Sequence, residues 1–112
     1  MKGSIVPTTF GEVIATARKS KGLSLRDLAE RVTKDEGGSI SAQYLNDIEH
    51  GRRNPPPQAM ILQLATELDL DADYLLILSN ELPEADQRLV EAAKPERVQE
   101  ALDAFRKTLK RK

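Results

Sequence analysis

The apolar residues of the chain recur every three or four positions, which is the period of an amphipathic α-helix. Five such stretches lie within residues 1–80, and each opens on a residue suited to a helix start: Thr9, Ser24, Ser41, Pro57 and Asp71. Thr9 and Glu12 have the spacing of a capping box, in which two side chains satisfy free backbone amides. Ser24 and Asp27 repeat that spacing. The pattern predicts an all-α domain of five helices that share one core.

The second and third helices are separated by an unusually long connection. Residues 33–40 (TKDEGGSI) have no apolar periodicity and contain paired glycines, which predicts a loop longer than a tight turn. The second helix is expected to end near Val32. The third is expected to run from Ser41 to about His50, with Gly51 as a left-handed terminator.

A proline-rich segment precedes the fourth helix. Residues 52–57 (RRNPPP) cannot be helical in their interior, because consecutive prolines remove backbone donors and favour an extended chain. The fourth helix is therefore predicted from about Pro57 to Leu68, and Asp71 is predicted to cap the fifth.

Beyond Asn80 the apolar residues occupy a narrower face of each predicted helix. Pro83 and Pro95 suit the first turns of two further helices. The last helix carries a narrow apolar stripe, formed by Val98, Leu102, Phe105 and Leu109. Such a stripe either folds back on the core or forms a seam with a second copy of the chain. We expect a domain over residues 1–80 and a helical extension, a candidate dimerisation element, over residues 81–112.

Composition narrows the class of protein. Leu, Ile, Val and Phe make up 28 of 112 residues, enough for the chain to collapse around a core. The absence of cysteine excludes disulfides, cysteine zinc sites and thiol catalysis. No apolar run is long enough for a membrane helix, and residues 1–7 lack the apolar core of a signal peptide. These features predict a cytoplasmic protein without membrane association.

Overall charge gives no argument for a nucleic-acid partner, since the formal net charge is −1. The charge is unevenly distributed. Residues 1–60 carry nine Lys and Arg against seven Asp and Glu, whereas residues 61–112 carry eight against eleven. A nucleic-acid interface must therefore depend on local charge in the first half of the chain.

The third predicted helix has side chains suited to DNA. A helix that enters the major groove needs short polar side chains near its start, which reach base edges, and flanking cations that bind phosphates. Gln43 is the strongest candidate because its amide can form two hydrogen bonds with adenine, and Ala42 suits a thymine methyl group. Asn46 lies one turn further on, and Arg52 and Arg53 follow the helix.

Each of these residues also has an ordinary structural interpretation. Gln43 and Asn46 are then solvated amides, and the two arginines are cations that stabilise a helix C-terminus. Glu49 and His50, at the end of the same helix, are expected to be structural, the histidine as a cap.

A series of motifs runs through residues 10–78 in a fixed order: Gly22-Leu23-Ser24, Leu28-Ala29, Ser41, Tyr44-Leu45-Asn46-Asp47-Ile48-Glu49-His50-Gly51-Arg52-Arg53-Asn54-Pro55, Leu64-Ala65 and Asp73-Tyr74-Leu75-Leu76. In order and approximate spacing these motifs resemble the phage-repressor-like, or XRE-type, helix-turn-helix family, similar to the Cro and lambda repressors. The resemblance covers about two thirds of the chain.

The resemblance implies a five-helix fold whose third helix, beginning at Ser41, is the recognition helix of a homodimeric transcriptional regulator. It also implies a set of positions that face bases or phosphates: Ser41, Ala42, Gln43, Tyr44 and Asp47. Arg52 and Arg53 correspond to contacts with the DNA backbone or minor groove.

The chain departs from the family pattern at three places. Leu25 stands where the family commonly has a glutamine that donates to a phosphate, so this contact is lost or passes to Arg26. The loop after the second helix is longer than usual, which either tilts the recognition helix or brings Lys34 near the DNA backbone. Asp47 stands where a basic or amide residue is common. An acid there costs affinity unless it accepts from a cytosine amine or pairs with Arg53.

Two functions remain open from the sequence. The first is a sequence-specific regulator, expected to be a repressor, that binds an inverted repeat in double-stranded DNA as a homodimer. The second is a protein-interaction module of the same fold, such as an antitoxin, which the low net charge and Asp47 favour. An enzyme is not expected, because His50 is the only histidine and has no nucleophile or metal-ligand set beside it. No cofactor and no metal are expected.

Overall fold

The computed structural model describes residues 9–111, and all regular elements in this range are helical. The helices are α1 (Phe10–Ser20), α2 (Leu25–Glu30), α3 (Ala42–Glu49), α4 (Gln58–Leu68), α5 (Ala72–Leu78), α6 (Glu84–Ala92) and α7 (Pro95–Lys110). The predicted all-α class is confirmed. None of the helices within residues 9–111 is long and apolar enough to cross a membrane.

The chain divides into two units. The first ends at Glu81 and contains α1 to α5, and the second begins at Leu82 and contains α6 and α7. In the first unit α3 packs against α1 and α2, while α4 packs against α1 and α5. The five helices bury one core, formed by Phe10, Val13, Ile14, Leu28, Ala29, Val32, Ile40, Leu45, Ile48, Met60, Ile61, Leu64, Ala65, Leu68, Leu75 and Leu76.

Local side-chain hydrogen bonds set the helix starts. The hydroxyl of Thr9 accepts from the backbone amide of Glu12, and the Glu12 carboxylate accepts from the amide of Thr9, each over 3.2 Å. Ser24 and Asp27 make the same exchange over 3.0 Å, so both predicted capping boxes are confirmed. The backbone hydrogen bond from Ser24 stabilises the charged carboxylate and lowers the pKa of Asp27 below its ordinary value.

The second helix is shorter than the pattern predicted. It ends at Glu30 with Arg31 as its C-cap, whereas the sequence placed the end near Val32. Val32 is nevertheless completely buried, and its carbonyl accepts from the amide of Ile40 over 3.0 Å. The apolar period continues past the last helical turn because Val32 enters the core from the following segment.

The long connection between α2 and α3 is a folded hairpin-like turn. An antiparallel bridge joins Thr33 and Ser39, and the amide of Lys34 donates to the carbonyl of Gly38 over 2.9 Å. The side chain of Gln63 on α4 forms hydrogen bonds with Thr33, at the start of this turn. The Gln63 oxygen accepts from the Thr33 amide over 2.8 Å, and its nitrogen donates to the Thr33 carbonyl over 3.0 Å. The connection is thereby fixed to the helical core.

The apolar stripe of the second unit lies at the surface. Neither α6 nor α7 contains a buried residue. The exposed fractions are 41% for Leu102, 52% for Phe105 and 68% for Leu109. Within the second unit these apolar side chains are therefore exposed to solvent.

Candidate nucleic-acid interface

The helix α3 has one face in the core and one face towards solvent. Leu45 and Ile48 are buried, while the Ser41 hydroxyl caps the helix by accepting from the amide of Tyr44 over 3.0 Å. Gln43 is exposed on the opposite face. Ala42, Asn46 and Asp47 are half-buried along the edges of that face.

A buried ion pair fixes the end of α3 to α1. The Arg18 guanidinium donates from Nε to Glu49 Oε2 over 2.7 Å and from a terminal nitrogen to Glu49 Oε1 over 3.0 Å. A further nitrogen donates to the carbonyl of Leu23 over 2.9 Å. The hydrogen bonds to Glu49 raise the pKa of Arg18 above its ordinary value, and the guanidinium stays charged. The expected structural role of Glu49 is thus observed.

The first turn of α1 rests directly on the last turn of α3. A Cβ atom added to Gly11 would lie 2.5 Å from the backbone oxygens of both Ile48 and Glu49. These two oxygens belong to helix backbone and cannot rotate away as a side chain can. The close approach of α1 and α3 therefore requires glycine at this position.

Asp47 is the centre of a polar cluster on the outer face of α3, here called the Asp47 cluster and formed by Gln43, Tyr44, Asp47, Arg52 and Arg53. Asp47 Oδ1 accepts from the Gln43 side-chain nitrogen over 3.0 Å, and it lies 3.4 Å from a terminal nitrogen of Arg52. Asp47 Oδ2 lies 3.8 Å from Nε of Arg53. The guanidinium of Arg53 also lies over the Tyr44 ring, 5.1 Å from its centroid.

The hairpin-like turn places Lys34 beside the start of α3. Lys34 lines an open groove of about 380 Å³ together with Ser41 and Tyr44. Asp35 and Glu36 line the same groove, so the turn brings two carboxylates as well as one cation to this edge. Local charge at this edge is therefore mixed rather than strongly positive.

The structure places two other residues predicted for the site, Arg26 on α2 and Asn46 on α3. Arg26 is exposed in the first turn of α2, and within residues 9–111 no hydrogen bond or ion pair joins it to α3. The carbonyl of Asn46 lies 2.9 Å from Nδ1 of His50, the C-cap of α3. The expected capping role of His50 agrees with this contact.

Three structural contacts of the site were not predicted. They are the ion pair of Arg18 with Glu49, the close approach of Gly11 to the backbone of α3, and the hydrogen bonds of Gln63 with Thr33. One of them has a signal in the sequence. Phe10, Ile14 and Arg18 are spaced by four residues, which places Arg18 on the buried face of α1. A charged residue in that position indicates a buried partner of opposite charge.

Comparisons with known proteins agree with this geometry. A family model described as a helix-turn-helix domain matches residues 11–81, which is more than half of the chain. The transcriptional regulator ClgR of Mycobacterium tuberculosis is 29% identical over 89 residues, covering 80% of this chain and 73% of that protein.

Two solved structures are similar to this chain over most of their own length. One is a structure of SinR, described as the master regulator for biofilm formation, in complex with DNA. Its chain is 29% identical, with a TM-score of 0.51, and the match covers 61% of this chain and 98% of that chain. The other is a complex of the SinR and SinI proteins, 25% identical, with a TM-score of 0.52, over 92% of this chain and 100% of that one. The expected five-helix arrangement is confirmed. The chain belongs to the XRE-type helix-turn-helix family of DNA-binding transcriptional regulators.

Proposed function

We propose that this protein is a sequence-specific repressor that binds an inverted-repeat operator as a homodimer, with α3 in the major groove. The observation that carries the proposal is the Asp47 cluster. It presents an amide and two arginines on the solvent face of a helix whose other face is locked to the core. An amide reads a base edge, and guanidinium groups bind phosphates.

The proposed contacts fall into two classes. Ala42 and Gln43, in the first turn of α3, face base edges, and Asn46 lies at the margin of the same face. The groups proposed to contact the DNA backbone are Ser41, Tyr44, Arg52 and Arg53, with Arg26 and Lys34 as outlying cations. Backbone contacts fix the position of the protein, whereas base contacts select the sequence.

The exposed stripe of α7 supports a dimer. Large apolar side chains left in solvent at helical spacing are typical of an interface that a second helix covers. A two-fold dimer places its two α3 helices in successive major grooves, with half-site centres about 10 base pairs apart or a multiple of that distance. An inverted repeat follows from this symmetry.

Selection of bound duplexes from a random DNA pool tests the proposal. The experiment is run at about 0.15 M salt, where non-specific electrostatic binding is weak. Enrichment of a palindrome with fixed half-site spacing, and two chains per duplex by light scattering, is the expected result. Folded protein that enriches no sequence contradicts the proposal.

Replacing Gln43 with alanine should relax the sequence preference at one position of each half-site. The loss of a two-bond contact with adenine costs about 1–3 kcal/mol of discrimination at that base pair, with the other positions unchanged. Competition binding with operators mutated at each position measures this effect. Gln99→Ala, at an exposed position of α7, is the matched control. An unchanged preference profile for Gln43→Ala would remove Gln43 from the base contacts.

Replacing Arg53 with alanine should weaken binding to all DNA sequences alike. Because each phosphate contact releases about one counterion, the slope of log K against log salt should fall by about one. A salt titration by fluorescence anisotropy measures both effects. Arg88→Ala removes another exposed arginine that is paired with a carboxylate, Glu84 at 2.8 Å, and should leave the slope unchanged. A slope that stays constant in Arg53→Ala would show that Arg53 binds no phosphate.

A second candidate function is a protein-interaction module with the same fold. The similarity to a SinR and SinI complex, which extends over 92% of this chain, favours a protein partner, as does the exposed stripe of α7. The salt dependence of DNA affinity distinguishes the two functions. DNA affinity that falls steeply with salt supports the regulator, whereas protein that binds no duplex but forms a complex of defined mass with another protein supports the module.

A further inference from the structure

The position of Asp47 differs from what a DNA-contacting residue requires. Its side chain is only 19% exposed, whereas those of Arg52 and Arg53 are 59% and 57% exposed. Its two carboxylate oxygens already face three donors, from Gln43, Arg52 and Arg53. The carboxylate therefore lies beneath the groups that reach outward.

The contact with Gln43 has a chemical consequence for base recognition. An ionised carboxylate only accepts hydrogen bonds, so the nitrogen of the Gln43 amide must point towards Asp47. That nitrogen keeps one free N–H, and the amide oxygen keeps its acceptor sites. One donor beside one acceptor is the pattern that pairs with N7 and the N6 amine of adenine.

The contacts with the two arginines have an electrostatic consequence. Arg52 and Arg53 share one carboxylate, and Arg53 is further held over the Tyr44 ring. The negative charge of Asp47 offsets part of the attraction between these cations and any phosphate backbone. Because this attraction is independent of sequence, it provides most of the non-specific affinity for DNA.

We propose that Asp47 is a specificity-determining positioning residue, which does not contact DNA but orients the Gln43 amide for adenine and reduces non-specific attraction by Arg52 and Arg53. The inference rests on the proposed DNA-binding function and deepens it. An acid at this position costs affinity in general, and it increases the difference between the operator and other sequences.

The variant Asp47→Asn tests the proposal with little change in shape. Its neutral amide can donate as well as accept, so the Gln43 amide is free to turn over. We expect non-specific affinity to rise about threefold, because the exposed guanidinium groups of Arg52 and Arg53 lose the opposing charge of Asp47. We expect preference for adenine at the position read by Gln43 to fall by about threefold or more. Asp73→Asn, an exposed acid on α5, makes the same change in net charge and should leave both quantities unaltered.

A measurement without DNA separates positioning from a purely structural role. In the wild-type protein the separation between the two side-chain N–H resonances of Gln43 should exceed that of a solvated glutamine amide, since only one of the two protons donates to a carboxylate. Their separation should decrease in Asp47→Asn and remain in Asp73→Asn. Equal thermal midpoints for the two variants would show that stability does not account for the difference.

The outcomes distinguish this inference from the proposed function. If the wild-type protein selects no DNA sequence, the result contradicts the proposed function and, with it, this inference. Wild-type protein that selects an operator, with an unchanged adenine preference and unchanged non-specific affinity in Asp47→Asn, overturns the inference alone. Loss of preference at a C·G pair, with adenine selection intact, would show that Asp47 contacts a cytosine amine itself, which also overturns it.

Discussion

Replacing Arg18 with methionine is expected to reduce the free energy of unfolding by about 3–5 kcal/mol, because the substitution leaves the Glu49 carboxylate buried without its partner. The side chain of Glu49 is 2% exposed and receives two hydrogen bonds from Arg18. Urea denaturation followed by circular dichroism at 222 nm measures the change. The same substitution at the exposed Arg88, which pairs with Glu84, should cost less than about 1 kcal/mol.

The double variant Arg18→Met, Glu49→Leu separates the cost of an unpaired charge from the value of the pair. Replacing both partners removes the buried charge, so much of the lost stability should return. A double variant as unstable as Arg18→Met alone would show that the pair itself, and not the orphaned carboxylate, supplies the stability. A change below 1 kcal/mol in Arg18→Met would contradict burial of the pair.

Replacing Gly11 with alanine is expected to reduce the free energy of unfolding by about 3 kcal/mol, through overpacking against the backbone of α3. The sign of this change in the free energy of unfolding is informative, because alanine in a helix is ordinarily favoured over glycine by about 1 kcal/mol. The added Cβ lies 2.5 Å from two carbonyl oxygens, so α1 and α3 must move apart. The same denaturation experiment measures the change.

Thr16→Ala is the matched control for this prediction. Thr16 lies in the same helix but is exposed, so the substitution should leave stability unchanged or raise it slightly through helix propensity. Stabilisation by Gly11→Ala of the size that propensity alone predicts would disprove the close contact between the two helices. Loss of operator binding by folded Gly11→Ala protein would show that the same contact sets the angle of α3.

Local features of the fold could be predicted from the sequence. Caps and capping boxes join residues three positions apart, so the side chains of Thr9, Ser24, Ser41 and Asp71 identify their helices without any knowledge of tertiary structure. The end of α2 could not be predicted in this way. Val32 continues the apolar pattern beyond the last helical turn, and its burial depends on the turn that follows.

The contacts that position α3 depend on residues distant in the sequence. Arg18 and Glu49 are 31 positions apart, and Thr33 and Gln63 are 30 positions apart. No helical period relates such residues, and their pairing follows only from the packing of five helices. The Asp47 cluster lies between these two cases, because its residues are close in the sequence, within α3 and the segment that follows it, but its contacts depend on side-chain geometry. A pair between Asp47 and Arg53 could be expected from the sequence, whereas the additional contact of Asp47 with Gln43 could not.

The helix α3 is held at both ends: its start follows a turn fixed to α4 by Gln63, and its end is fixed to α1 by Arg18 and Gly11. A long connection before a helix ordinarily gives that helix freedom to change its angle. Here the extra residues form hydrogen bonds with one another and with Gln63, so the longer connection is tied to the core. In the proposed complex with DNA, an orientation of α3 that is set before binding reduces the loss of conformational entropy on association.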